Sequence, residues 1–264
     1  MLDNIIVFYI FFTIVGFLAA MLGTIIGAGG GLVFVPLFMY WFPEWSPSMI
    51  VGTSLFSVMC NAVSGSIAYI KQKKVHISAA IVFSLSTLPG AILGAQMSGW
   101  FSGQGFMFAF GCFMLCASGL IGFKNFRKGE RKEESLTLDQ LTYSKPIGIG
   151  ISFFVGFISS IFGIGGGLVH VPALIYIMGF PTHIATATSQ SILAVSTAVG
   201  VITHIVENHI VFSIAIPTSI GAIFGAQAGA RIAKKLKAKS ILALMSVAVF
   251  AMAVRLILKS GIIG

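Results

Sequence analysis

The chain has 264 residues, of which 57% are hydrophobic and 9% charged, against roughly 45–50% and 25% in a soluble domain. So few charges exclude a water-covered globular surface, and the apolar residues gather into runs that fit a lipid bilayer. The net charge of +9 does not indicate a nucleic-acid partner, because Lys and Arg sit in a few short connections rather than along one helix face.

Met1-Leu2-Asp3-Asn4 lacks the basic opening of a secretory signal, so the first apolar run is expected to remain as a membrane helix. Apolar segments follow at 5–26, 31–42, 48–70, 77–98 and 105–123, then at 146–163, 167–179, 184–206, 210–230 and 240–259. The long ones are near the ~20 residues that cross a hydrocarbon core of about 30 Å. The second segment of each set is short: as a helix it rises only about 16 Å, half of that core. The expected fold is an all-α polytopic membrane protein. Between the two sets, 124–145 holds Lys124, Arg127, Lys128, Arg131 and Lys132 with Glu130, Glu133, Glu134 and Asp139, which reads as a solvent-exposed linker. The expected units are therefore a first membrane repeat over 1–123, the linker 124–145, and a second membrane repeat over 146–264.

The sets are copies of one another. Val15-Gly16-Phe17 recurs as Val155-Gly156-Phe157, and Gly29-Gly30-Gly31-Leu32-Val33-Phe34-Val35-Pro36 recurs as Gly165-Gly166-Gly167-Leu168-Val169-His170-Val171-Pro172. Thr53-Ser54 matches Thr188-Ser189, and Gly90-Ala91-Ile92-Leu93-Gly94-Ala95-Gln96 matches Gly221-Ala222-Ile223-Phe224-Gly225-Ala226-Gln227. Small residues every fourth position in the last pair read as helix packing. Gln96 and Gln227, near helix ends, are expected at the interface.

Charge gives the copies opposite orientations. Lys71, Lys73 and Lys74 follow the third segment, whereas Glu207-Asn208-His209 at the equivalent place has no Lys or Arg. One loop later the pattern reverses: 98–105 has none, and its counterpart carries Arg231, Lys234, Lys235, Lys237 and Lys239. Because basic loops stay cytoplasmic, the repeats are expected to be inverted, as in many secondary transporters. Both termini are then outside and the linker inside. Trp41, Trp45 and Trp100 fall beside the outer loops, as interfacial aromatics do. Arg255 and Lys259 run against this pattern near the outer C-terminal end.

A half-length second segment puts Gly27, Gly29, Gly30 and Gly31 near the midplane, with Gly163, Gly165, Gly166 and Gly167 reaching it from the other side. Non-helical backbone at that depth must line a cavity or be buried in protein. Each turn opens a helix whose first N–H groups lack intrahelical partners and carry the positive end of the dipole. Two such ends bind an anion without a buried lysine, although close packing through small residues would also favour glycine. Pro36 and Pro172 fall inside these short helices and are expected to free a carbonyl. The third segments add Thr53, Ser54 and Asn61, and Thr188, Ser189, Gln190 and Ser196, as candidate substrate contacts. Threonines at helix starts also cap, but an asparagine in mid-membrane needs a partner.

No Asp or Glu lies within the expected spans, which argues against a carboxylate proton relay. His170 is a candidate proton or ligand contact; His204 is expected at a water-exposed end. Cys60, Cys112 and Cys116 have no His or carboxylate beside them to complete a metal set and read as small core residues. No metal or cofactor is expected. An enzyme would need a cluster of His, Glu or Asp near one face, and none is visible in the sequence.

Taken together, the twin glycine turns running into proline (27–36 and 163–172), Gly52-Thr53-Ser54 with Ala187-Thr188-Ser189-Gln190, and the twin Gly-Ala-x-x-Gly-Ala-Gln segments resemble the TauE/SafE sulfite exporter-like permeases. The resemblance implies a plasma-membrane permease of bacterial type that exports sulfite, a sulfonate such as sulfoacetate, or a related organic anion. One departure is that Leu55 stands where the second half has Gln190. The expected function is thus a secondary transporter for a small anion, working by alternating access around the two turns. An anion channel would share this architecture, and a membrane scaffold or assembly factor gives no reason for two symmetric glycine breaks.

Overall fold

A computed structural model describes residues 2–100, 103–127, 138 and 141–261; the side chains of 2–5 and 123–127 fall outside that description. Among the described residues there are ten α-helices and no strand. In chain order they are α1 (Leu2–Ile26), α2 (Gly31–Trp41), α3 (Pro47–Lys71), α4 (Ile77–Met97), α5 (Gly103–Arg127), α6 (Lys145–Phe162), α7 (Gly167–Tyr176), α8 (Thr182–Val206), α9 (Phe212–Ala233) and α10 (Ala238–Lys259). Eight are long and apolar enough to cross a membrane, and α2 and α7 are the two short ones. The outward surface carries large apolar side chains such as Phe11, Leu85, Phe154, Phe224 and Phe250, which only a hydrocarbon surrounding accommodates in such numbers. The protein is a multi-pass membrane protein.

Two boundaries differ from the sequence expectation. Helix α7 stops at Tyr176 rather than near 179, because Gly179 takes a left-handed φ of 74° while Met178 N–H bonds Ala173 O and Phe180 N–H bonds Leu174 O. Helix α5 runs on to Arg127 and α6 already begins at Lys145. Most of the charged stretch expected as a linker, 128–137 and 139–140, lies outside the described residues.

Helices α3 and α8 form the centre, and glycines let their neighbours in. A Cβ on Gly221 of α9 would lie 1.9 Å from Thr13 O of α1, and one on Gly90 of α4 would lie 2.1 Å from Phe153 O of α6. Backbones this close are how helices associate without a hydrophobic driving force. Several of these contacts have a twin. Gly16 meets Thr218 as Gly156 meets Thr87, and Gly225 meets Phe17 as Gly94 meets Phe157. Side chains repeat the relation: Val211 N–H donates to Thr53 Oγ1 at 3.1 Å, and His76 N–H donates to Thr188 Oγ1 at 3.0 Å.

Three side chains sit differently from expectation. Cys60 and Cys112 are half-buried, whereas Cys116 is exposed rather than a core residue. Gln227 is not simply interfacial, since its Nε2 donates to Ser64 O at 2.7 Å and ties α9 to α3. Lys259 donates to Met39 O at 3.0 Å, and both it and Arg255 lie over the Tyr40 ring. A cation on the last carbonyls of a helix is favoured there, so this pair serves the end of α2.

Candidate functional site

The two glycine turns meet in the middle of the bundle. Gly29 and Gly165 both lie against Val58 and Leu193, which stand about halfway along the 25-residue helices α3 and α8. The turns also press on each other: a Cβ on Gly31 would be 2.6 Å from Ile164 Cα, and one on Gly167 would be 2.1 Å from Gly27 O. Gly27, Gly29, Gly30, Gly163, Gly165 and Gly166 all have φ between 70° and 80°, a conformation that side chains with a Cβ rarely adopt. Ser54 Oγ donates to Gly163 O at 2.9 Å and Ser189 Oγ to Gly27 O at 3.1 Å. Each turn is thus held by a serine from the opposite half.

Helices α2 and α7 start from these turns. Val33 and Phe34 N–H bond Gly30 O, as Val169 and His170 N–H bond Gly166 O. Among the described residues, the N–H groups of Gly30, Gly31 and Leu32, and of Gly166, Gly167 and Leu168, have no acceptor, although all six residues are buried. Orphaned donors at a helix start are ordinary in water, but buried ones call for a partner.

Beside the first turn is a polar cluster. Asn61 Nδ2 donates to Ala20 O at 3.0 Å, which fixes its amide and turns Oδ1 toward Thr24 and Gln190. Thr24 Oγ1 donates to Asn61 Oδ1 at 3.0 Å, and Gln190 Nε2 reaches the same oxygen at 2.5 Å. Because Asn61 presents an acceptor, Gln190 must present its nitrogen. Gln190 Oε1 is left buried and without a partner. Tyr69 closes the cluster by donating to Thr24 O at 2.8 Å.

Tyr69 also lines a cavity of about 220 Å³ with Gln72, Lys74, His183 and Lys234. Beside it is another of about 490 Å³ lined by Ala68, Lys71, Gln72, Gln227, Arg231, Lys234 and Lys235. Among the described residues no carboxylate lines either of these cavities, so those residues form a basic mouth backed by Tyr69.

The remaining sequence candidates are more dispersed. Thr53 and Thr188 hold the turns that enter α9 and α4, and Ser196 bonds its own helix at Leu193 O, 3.4 Å away. His170 is buried and meets Ser152 Oγ at 3.0 Å. His204, expected at a wet helix end, is instead fully buried, packed over Gly52. Sequence reading also found no cluster of His and Glu, yet one ligand atom each of His204, Glu207 and His209 lies within 4.8 Å of the others. Thr24 and Tyr69 were not singled out as candidates; their one sequence signal is polarity within otherwise apolar runs.

The family model described as sulfite exporter TauE/SafE matches residues 12–256. The chain belongs to the TauE/SafE family. The probable membrane transporter protein YunE of Bacillus subtilis is 32% identical over 265 residues, covering 94% of this chain and 97% of its own. A probable membrane transporter protein of Xylella fastidiosa is 30% identical over 81% of this chain and 80% of its own, and one of Methanocaldococcus jannaschii is 25% identical over 88% and 89%. No solved structure matches. In this TauE/SafE member the matched span contains both turns and the whole polar cluster.

Proposed function

We propose that the protein is a secondary transporter that exports a small oxyanion, sulfite or an organosulfonate, by alternating access around the two glycine turns. The observation that carries this reading is the pair of helix starts, α2 and α7, whose buried N–H groups lack acceptors at the middle of the bundle. Their dipoles favour negative charge and require no buried lysine. Gln190 Oε1 is an unfilled acceptor beside them, which suits an anion that brings a donor, such as a protonated oxyanion or one with a bound water.

The basic loops 71–74 and 231–239 mark one end as cytoplasmic by the positive-inside rule. That end carries the basic mouth, so anions gather on the inner side, in keeping with export. Inverted repeats give the complementary outward-open state by exchanging the roles of the halves. Tyr69, bonded to Thr24 O, is the inner gate in this reading.

The test is efflux from proteoliposomes loaded in turn with sulfite, sulfoacetate, sulfate and small carboxylates. Saturable efflux of sulfite or a sulfonate is expected. No saturable flux of any anion in that set would overturn the assignment.

A further inference from the structure

The chain leaves α8 through a turn that draws three metal-ligand side chains together. Asn208 takes a left-handed φ of 57°, its N–H bonds Ile205 O at 3.1 Å, and His209 N–H bonds His204 O at 2.9 Å. This Schellman arrangement folds the second residue past the helix over the last turn, where an apolar pair ordinarily meets. Here the pair is two imidazoles, with His204 Nδ1 and His209 Nδ1 3.4 Å apart. Glu207 Oε2 stands 3.1 Å from His209 Nδ1.

The turn after α3 has the same backbone without those ligands. Lys73 has φ 56°, Lys73 N–H bonds Ile70 O at 2.9 Å and Lys74 N–H bonds Tyr69 O at 3.2 Å. Tyr69, Gln72 and Lys74 occupy the places of His204, Glu207 and His209. The fold therefore forms this turn with no need of two histidines and a carboxylate, and their presence in one copy asks for a separate reason.

Protons serve the cluster poorly. His209 Nδ1 faces both an imidazole nitrogen and a carboxylate oxygen, and one proton on it satisfies only one of them. A divalent cation engages all three lone pairs at once. Ligands about 2.0–2.1 Å from a four-coordinate zinc stand roughly 3.3 Å apart along a tetrahedral edge, close to the two separations just given, while the third pair lies within 4.8 Å. Glu207 and His209 side chains are about one-third exposed, at 32% and 30%, which gives an ion a route in and a water a place as fourth ligand.

We propose that His204, Glu207 and His209 form a divalent transition-metal site of zinc type at the end of α8, away from the basic mouth. Two imidazoles and one carboxylate favour zinc-like ions over calcium and magnesium, which prefer oxygen cages. Gly52 at the start of α3 lies under the same residues: a Cβ there would be 2.9 Å from His209 O and 3.1 Å from His204 Cγ. A bound ion would thus stiffen the α8 end against α3. The proposal stands on side-chain geometry and does not depend on the transport reading.

The test titrates zinc chloride into the full chain in detergent, with any affinity tag removed, by calorimetry, and follows cobalt(II) by visible absorption. One ion per chain and the intense absorption of tetrahedral cobalt are expected. His209→Ala and Glu207→Gln should each weaken zinc at least roughly tenfold, the low end for losing a supporting group at a metal site. Lys74→Ala, at the equivalent turn, should leave zinc affinity unchanged. No saturable zinc binding, or affinity unchanged in His209→Ala, would overturn the proposal.

Discussion

Asn61 donates to Ala20 O, and from that one bond the orientation of a second amide, Gln190, follows. Removing Asn61 leaves Gln190 Nε2 and the Thr24 hydroxyl without their shared acceptor, and a buried polar group without a partner costs about 1–3 kcal/mol. Asn61→Leu should therefore lower the thermal unfolding temperature in detergent clearly more than Ser196→Ala, whose hydroxyl only bonds its own helix at 3.4 Å. Equal shifts would mean that the cluster does not act as a unit. At this scale the sequence was partly legible. Asn61 stood out because an amide in mid-membrane needs a partner, and Gln190 because it follows Thr188 and Ser189 at a helix start. Thr24 and Tyr69 did not, because their partners are far along the chain. His204 was misplaced for the same reason: Gly52, which makes room for it, is on another helix.

Helices were more legible than contacts. Hydropathy and length found all ten described helices, with the short α2 and α7 in their places, because lipid leaves no other way to satisfy the backbone. The end of α7 was missed by three residues, since Gly179 closes it by a local turn that an apolar run conceals. Glycine spacing marked α4 and α9 as packing helices, and the structure supplies their partners, α6 and α1. Gly221→Ala puts a methyl 1.9 Å from Thr13 O and should destabilise by about 1–3 kcal/mol, as overpacking does. Gly119→Ala meets nothing within 4 Å and should be neutral or stabilise by up to about 1 kcal/mol through helix propensity. Thermal unfolding of the two variants in one detergent makes the comparison; a Gly221→Ala protein as stable as the parent would contradict the packing.

For the whole molecule, reciprocal contacts between the halves and the reversal of loop charge fit a two-fold axis in the membrane plane. Single cysteines at Gln72 and Leu236 should then react with a membrane-impermeant thiol reagent from one side, and those at Gly99 and Asn208 from the other, in a background without Cys60, Cys112 and Cys116. All four on one side would end the inverted arrangement. The substrate was never legible in the sequence, since backbone N–H groups rather than distinctive side chains are offered to it.

The central claim is that an anion passes between the two helix starts and is met there by the Gln190 amide. Its most direct measurement is the concentration dependence of sulfite and sulfonate flux in proteoliposomes of the parent and of Gln190→Leu, which places in the second half the leucine that the first half has at Leu55. The expected result is saturable flux in the parent and at least a tenfold loss, about 1.4 kcal/mol, in a variant that still inserts and remains monodisperse. Flux that is absent from the parent for every anion, or equal in both proteins, would contradict it.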